Sequence, residues 1–300
     1  MLKDRLLKDR FITFIEVEKR YSPHTLLAYT QDLEQFSTFA SENYAIAQIE
    51  LADHQVIRSW FVSLIEAGTT PRTITRKMST LKSFFRFAKV NGFSAPNPML
   101  KVTAPKMSKR LPIYIEEEKM DRLITFPQSE DKLTERRNEA ILLIFYATGI
   151  RLSELIGIRH EDVDLVKGSI RVTGKRNKER IVPIGALVID HINRYMKLIS
   201  KSYVQGNKYS FLFVTDKGKQ LYPKLVYRIV HAWLVQASTN EKLSPHVLRH
   251  TFATHMLNDG ADLNTIKEIL GHSSLAATQV YTHNSITKLK SVYKQAHPRA

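Results

Sequence analysis

Four side chains that can bind or attack a phosphate lie close together near the end of the sequence. His246 and Arg249 are three residues apart, a spacing that puts both side chains on one face of the helix expected there. His272 directly follows Gly271, which is expected to end the next helix and leave the imidazole in a loop. Tyr281 comes nine residues later. The set provides a guanidinium, two imidazoles and a phenol, which together suit chemistry at a phosphate.

Two cations further upstream complete a set for phosphoryl transfer. This reaction needs the nonbridging oxygens neutralised, a nucleophile in line, and a proton for the leaving oxygen. Arg151 and Arg249 can each bind two oxygens through the guanidinium fork. His246 and Lys175 can move protons, and Tyr281 can attack and remain covalently attached. Because protein cations do the electrostatic work, the set predicts catalysis without a metal ion or another cofactor.

A zinc site is the main alternative interpretation of the histidines, since His246 and His250 have the i, i+4 spacing of a zinc-binding pair. The third ligand would come from His255, His272 or His283. No general-base glutamate lies between the pair, however, and Arg249 beside them would repel a divalent cation. The chain also has no cysteine, which excludes disulfides, thiolate nucleophiles and cysteine-ligated metal sites. The sequence therefore favours phosphate chemistry over a metal site.

The charge of the chain points to a polyanionic partner. The net charge is +16 and the pI is about 9.8, with +7 in residues 1–110 and +9 in residues 111–300. An excess spread over both halves is typical of a protein that holds nucleic acid, and a basic protein without such a partner is the alternative. No apolar run is long enough to cross a bilayer, and the charged N-terminus lacks the apolar region of a signal peptide. We therefore expect a cytoplasmic protein with no membrane partner.

The first hundred residues predict four helices. The first covers residues 2–19, and the others open at Ser22-Pro23, Asp53 and Thr70-Pro71. Five basic residues of the fourth helix are expected mostly on its exterior: Arg72, Arg76, Lys77, Lys82 and Arg86. The first four of them are also predicted DNA contacts. A solvated helix surface is the alternative for these charges. Four prolines in residues 94–112 indicate a linker, which divides the chain into domains 1–105 and 113–300 joined by 106–112.

The second domain is expected to be mostly helical with a small antiparallel sheet. Helices are predicted over residues 116–126, 135–147, 185–199 and 224–237, and Arg151 would start another. Strands are predicted over 169–172 and 180–183, with Lys175 at the turn between them, and a third over 211–214. Ser244 and Pro245 open the helix that carries His246, and Gly260 ends it. The fold class is therefore mainly α, with an all-α first domain and an α+β second domain.

Five segments of the sequence resemble, in order, the motifs of the tyrosine site-specific recombinases, the phage-integrase family. They are residues 148–155, 174–180, 246–250, 270–274 and 281–283. The last seven residues are similar to the tail of the Xer recombinases, the simple two-domain members of that family. The resemblance covers the whole chain. It implies a four-helix, SAM-like core-binding domain in 1–105 and a catalytic domain with the fold of DNA breaking-rejoining enzymes.

The resemblance also implies a role for each candidate residue. Tyr281 would attack the scissile phosphodiester and form a 3′-phosphotyrosyl link, while Lys175 protonates the leaving 5′-oxygen. The two arginines and His246 would stabilise the pentavalent transition state, and His272 would donate a hydrogen bond to a phosphate oxygen. Since the energy of the broken phosphodiester bond is kept in the phosphotyrosyl link, rejoining needs no ATP. Arg176 stands where many members have glycine, and Lys178 is a second candidate for the acid and for a DNA contact.

The partners implied are a double-stranded recombination site and a related recombinase, in a homo- or heterotetramer that works through a Holliday junction. A DNA translocase of the FtsK type is a candidate activator. The predicted role is Xer-type resolution of chromosome or plasmid dimers. A mobile-element integrase or DNA invertase with the same chemistry is the near alternative. A non-catalytic DNA-binding regulator is the alternative of another class, and the combination of Tyr281 with Arg151 and Arg249 argues against it.

Overall fold

The structure, a computed structural model, describes residues 7–93, 97–104, 113–126, 132–174, 178–202, 210–238 and 243–271. The chain divides into two units, Met1–Arg110 and Leu111–Ala300, each with its own apolar core. The predicted linker, residues 106–112, lies outside the described residues, so the domain limits at 105 and 113 stay a prediction. No helix in the described ranges is both long and apolar enough to cross a membrane.

Capping side chains set the starts of three helices in the first unit. The helices are α1 (Leu7–Val17), α2 (Pro23–Tyr44), α3 (His54–Glu66) and α4 (Pro71–Val90). Ser22, Asp53 and Thr70 each accept a hydrogen bond from a backbone N–H in the first turn of the helix that follows. The predicted starts are therefore confirmed. The four helices enclose an aromatic core in which Phe11 meets Phe84 edge to face, with ring centres 5.6 Å apart.

The prediction that Lys77 lies on the exterior of α4 is wrong. Lys77 is 5% exposed, and its ammonium group donates to Asp32 Oδ1 at 3.0 Å and to the Gln35 side chain. Asp32 is itself 1% exposed and also accepts from Arg76 and from Thr80 Oγ1 at 2.8 Å. A buried carboxylate needs partners of this kind, and α4 supplies three of them. Lys77 is therefore a partner of Asp32 inside the unit and is withdrawn as a DNA contact.

Replacing Asp32 by asparagine is expected to lower the free energy of unfolding of the first unit by about 3 kcal/mol, because Lys77 would stay buried without its carboxylate. The measurement is urea unfolding followed by Trp60 fluorescence in a Trp233→Phe background, which leaves Trp60 as the only tryptophan. Glu34→Gln, on the exposed side of the same helix, is the matched control and should change stability by less than about 0.5 kcal/mol. Equal stability of the Asp32 and Glu34 variants would contradict the prediction.

The second unit packs helices around a three-stranded antiparallel sheet. The helices are α5 (Glu117–Ile124), α6 (Leu133–Thr148), α7 (Leu152–Gly157), α8 (Ala186–Ser202), α9 (Pro223–Leu234), α10 (Pro245–Asn258) and α11 (Leu263–Leu270). The strands, in sheet order, are β1 (Val163–Asp164), β2 (Ser169–Thr173) and β3 (Glu179–Pro183), with Ile170 opposite Val182. The predicted hairpin strands are confirmed. The two-residue strand β1 is too short to give a sequence pattern.

The prediction of a third strand over residues 211–214 is wrong. Its ends form only isolated bridges, Phe211 with Arg159 and Val214 with Gln220. Leu212, Phe213 and Val214 are all buried, so the run lacks the alternation of a strand at a sheet surface. Its backbone N–H groups donate instead to the carbonyl of Ile158 and to the hydroxyl of Tyr195. The segment is an apolar connection through the core.

Candidate active site

A glycine turn brings Arg151 to the start of α7. Gly149 ends α6 in the left-handed conformation, with φ of 58°. A Cβ at Gly149 would lie 2.5 Å from Phe252 and 2.7 Å from Leu270, so only glycine allows this approach to α10 and α11. Arg151 is then the N-cap residue of α7. Its Nη1 donates to Glu154 Oε1 at 2.7 Å, and its Nη2 donates to the carbonyl of Gly271 at 3.0 Å.

Arg249 is buried on α10 and is held by two backbone carbonyls. It is 6% exposed, and its Nη1 donates to the carbonyl of Gly149 at 2.6 Å. Its Nη2 donates to the carbonyl of Leu270 at 2.8 Å. One acceptor of Arg151 and one of Arg249 are thus the adjacent carbonyls of Gly271 and Leu270. The structure brings the two arginines, which are distant in sequence, to one end of α11.

A third arginine, which was not predicted from the sequence, binds at the same helix end. Arg180 on β3 donates from Nε to the carbonyl of Ile269 at 2.7 Å and binds both oxygens of Glu154, at 3.0 and 2.9 Å. The sequence held a signal for it, since strand alternation puts Arg180 on the same face as the buried Val182. An arginine on the core face of a strand requires a buried partner.

Glu154 lies between Arg151 and Arg180 as a buried carboxylate. Its side chain is 1% exposed, and it also accepts from the backbone N–H of Arg151 at 2.8 Å. Burial alone would raise the pKa of this carboxyl, but the hydrogen bonds from Arg180 and the Arg151 backbone outweigh burial. The pKa falls from 4.5 to about 2. Glu154 therefore stays ionised at neutral pH and keeps both guanidinium groups in place.

Glu154→Gln is expected to destabilise the protein in a pH-dependent way. A carboxyl with a depressed pKa contributes stability above its unfolded pKa, and that contribution is lost as pH falls towards the folded value. The shift corresponds to about 3 kcal/mol at pH 7, of which about 2 kcal/mol is lost by pH 3. The difference between wild type and variant in urea unfolding should therefore be large at pH 7 and much smaller at pH 3. A difference independent of pH would contradict this explanation.

The histidines of α10 have different environments. His246 is exposed one turn before Arg249. His250 is partly buried, and burial, together with the positive neighbours His246 and Arg249, lowers its pKa. His255 is buried; its Nδ1 lies 3.1 Å from the Tyr146 hydroxyl and its Nε2 lies 2.9 Å from the carbonyl of Ile115. Within the described ranges, no three histidines, aspartates or glutamates are grouped as a metal site would require.

Three of the six predicted catalytic residues fall in the described part of the chain: Arg151, His246 and Arg249. The others, Lys175, His272 and Tyr281, lie outside the described residues, as does Arg176. Of these, Lys175 lies between described residues in the sequence, whereas His272 and Tyr281 come after Gly271, the last described residue. The hairpin that carries the turn closes with a 2.7 Å hydrogen bond from the Gly174 N–H to the carbonyl of Lys178, whose side chain is exposed. His272 directly follows Gly271, the residue whose carbonyl binds Arg151.

Family models match both halves of this chain. Residues 114–288 match the phage integrase family, and residues 9–92 match the N-terminal SAM-like domain of phage integrases. The chain belongs to the phage integrase family. Membership confirms the predicted resemblance, the mainly α fold class and the enzyme class, a DNA strand transferase of the tyrosine recombinase type.

Relatives within the phage integrase family match over nearly the whole chain. The chain is 37% identical to tyrosine recombinase XerC of Chlorobaculum parvum, with 97% of this chain and 94% of the relative covered. It is also 37% identical to tyrosine recombinase XerD of Staphylococcus haemolyticus, covering 97% and 98%. Among solved structures, the XerA recombinase is 27% identical with a TM-score of 0.53, covering 98% of this chain and 99% of that one. The Tn1549 transposon integrase in complex with transposon right end DNA shares the fold, with 19% identity, a TM-score of 0.75 and coverage of 97% and 99%.

Proposed function

We propose that this chain is a site-specific recombinase of the Xer type, which cuts and rejoins duplex DNA through a tyrosyl–DNA intermediate. The observation that carries the proposal is the meeting of Arg151 and Arg249 at the adjacent carbonyls of Gly271 and Leu270, at the end of α11. Two guanidinium groups fixed at one point can bind the nonbridging oxygens of one phosphate. Arginines in unrelated surface positions could not do so.

The chemistry follows from the charges at this point. As the phosphorus becomes pentavalent, negative charge collects on the nonbridging oxygens, and fixed cations in a desolvated site stabilise it. Arg249 is buried and Arg151 partly buried, so neither must be reorganised when the charge develops. His246, one turn from Arg249, assists proton transfer from the nucleophile. We assign that nucleophile to Tyr281, the leaving-group acid to Lys175 with Lys178 as the second candidate, and a hydrogen bond to the phosphate to His272.

The remaining predicted DNA contacts on α4, Arg72, Arg76 and Lys82, are proposed to hold the DNA backbone. Arg72 and Lys82 are exposed, and Arg76 keeps 43% of its side chain exposed while one end binds Asp32. Such contacts add affinity without sequence information, and binding should weaken steeply with salt. The active assembly we propose is a tetramer of this chain, alone or with a related recombinase, on a chromosomal site in the cytoplasm. The names of the relatives, XerC and XerD, support this role.

The proposal is tested by trapping the covalent intermediate. Wild-type protein is incubated with lightly nicked chromosomal DNA, because a nick near the cut lets the 5′-hydroxyl fragment diffuse away and prevents rejoining. We expect an adduct that survives denaturation, blocks 3′-exonuclease digestion and leaves new 5′-hydroxyl ends that a kinase can label. Sequencing of the trapped DNA should return one chromosomal site for an Xer enzyme, whereas ends of a mobile element would indicate an integrase. Binding without any adduct would overturn the enzymatic proposal in favour of a regulator.

A further inference from the structure

All three nitrogens of the Arg180 guanidinium group donate hydrogen bonds, and their acceptors lie in two parts of the candidate site. Both terminal nitrogens bind the Glu154 carboxylate, and Nε binds the carbonyl of Ile269. Its side chain is only 15% exposed. A planar fork with each of its three nitrogens donating to a fixed acceptor has little freedom to move. Arg180 is therefore a rigid connection between β3, the start of α7 and the end of α11.

The end of α11 is bound by three arginines from three elements. A helix leaves its last carbonyls without partners in the helix, and cations are favourable there. The consecutive carbonyls of Ile269, Leu270 and Gly271 accept from Arg180, Arg249 and Arg151 in that order. The contact is close, since a Cβ at Gly271 would lie 3.1 Å from Arg180 Nη1. Arg180 therefore holds the same short segment that positions the two arginines assigned to catalysis.

Charge balance gives Arg180 a second effect. The three guanidinium groups and the Glu154 carboxylate together carry a net charge of +2. Arg180 binds Glu154 with two hydrogen bonds, while the Arg151 side chain uses one, from Nη1 to Oε1. Without Arg180, the carboxylate could turn its second oxygen to the Arg151 fork and form a bidentate pair. That pair would be neutral overall, and Arg151 would present less positive potential to the phosphate.

We propose that Arg180 is a positioning residue for strand transfer: it engages Glu154 and the end of α11, so that Arg151 keeps its orientation and its positive potential for the scissile phosphate. The inference rests on the proposed function. Arg180 acts through Arg151 and does not touch the reacting atoms. Its removal should therefore lower the rate of chemistry at saturating DNA and leave DNA affinity nearly unchanged.

The test measures single-turnover adduct formation at saturating DNA on the site recovered with wild type. Arg180→Gln is expected to slow adduct formation by about 10–100-fold, the usual effect of losing a residue that orients a catalytic group. Arg180→Lys keeps the charge but not the guanidinium fork, and its rate should lie between those of wild type and Arg180→Gln. If Arg180→Gln does not fold, Arg180→Lys is used in its place. Arg171→Gln is the control, since Arg171 lies on the neighbouring strand, 48% exposed and paired with Asp162, and it should match wild type.

A DNA substrate with an uncharged phosphate at the cut distinguishes a positioning role of Arg180 from a merely structural one. In a methylphosphonate, one nonbridging oxygen of the cut phosphate is replaced by methyl, which removes the charge that Arg151 balances. If Arg180 acts through Arg151, the difference between wild type and Arg180→Gln should shrink to within about threefold on this substrate. An undiminished difference would mean a merely structural role and would overturn the inference, as would a wild-type rate in Arg180→Gln on normal DNA. Failure of wild type to form any adduct would instead count against the proposed function.

Discussion

Replacing Tyr281 by phenylalanine is expected to abolish the covalent protein–DNA adduct and to leave DNA affinity within about threefold of wild type. Phenylalanine keeps the ring and removes only the hydroxyl, so the variant loses the attacking oxygen with little change in volume. No water-mediated reaction can replace the product, because the adduct requires a bond between the protein and the 3′-phosphate. The measurement is denaturing electrophoresis of nicked DNA after incubation, with native gel shifts at the same salt concentration for binding.

Tyr293→Phe is the matched control for this experiment. Tyr293 lies twelve residues further on and undergoes the same chemical change. It should form the adduct at the wild-type rate, whereas Tyr281→Phe should form none. Survival of the adduct in Tyr281→Phe would show that another side chain is the nucleophile. Loss of the adduct in the control alone would assign that role to Tyr293.

The parts of the fold that the sequence predicted correctly depend on local signals. Ser22, Asp53 and Thr70 bind N–H groups only two or three residues away, so residue type and position are enough to place the helix starts. The β2–β3 hairpin likewise depends on two short alternating runs and the turn between them. Such interactions are visible in a window of a few residues and need no knowledge of the tertiary structure.

The parts that sequence reasoning missed depend on partners far along the chain. Lys77 looks like an exterior lysine of α4, and only the packing of α2 shows that Asp32 lies beside it. Leu212 and Phe213 have the composition of a strand, but buried contacts with other elements determine their path. Burial of a charged or apolar residue is set by elements that meet only in the folded chain. The local patterns around Lys77 and residues 211–214 do not record it.

The candidate site, too, was predicted only in part from the sequence. Reasoning from chemical roles placed Arg151 and Arg249 together, and the structure brings them to adjacent carbonyls. The sequence did not show which groups hold the two arginines, because every residue has a backbone carbonyl and residue type does not indicate which carbonyl will be an acceptor. Arg180 lies on the core face of its strand, which is a local signal, but its acceptors, the Glu154 carboxylate and the carbonyl of Ile269, are far away in the sequence. Acceptors of this kind can be identified only from coordinates.

Arg249→Lys is expected to slow adduct formation at saturating DNA by about 10³-fold, the loss typical for a cation or donor that stabilises transition-state charge. Lysine keeps the positive charge but has one nitrogen in place of the fork. It cannot bind the carbonyls of Gly149 and Leu270 in the present geometry and also orient a planar group towards a phosphate. The measurement is the single-turnover rate, taken well below the melting temperature, because an unsatisfied carbonyl would also cost about 1–3 kcal/mol of stability.

The salt dependence of binding separates loss of charge from loss of geometry in this variant. Because lysine retains the charge, the number of counterions released on binding should not change, and the slope of log affinity against log salt should match wild type. Arg194→Lys, an exposed arginine paired with Asp190 at 2.8 Å, is the control and should keep both the rate and the slope. A wild-type rate in Arg249→Lys would mean that charge alone suffices at this position. The meeting of the two arginines at α11 would then no longer support the proposed function, because that argument requires the fork and not merely a cation.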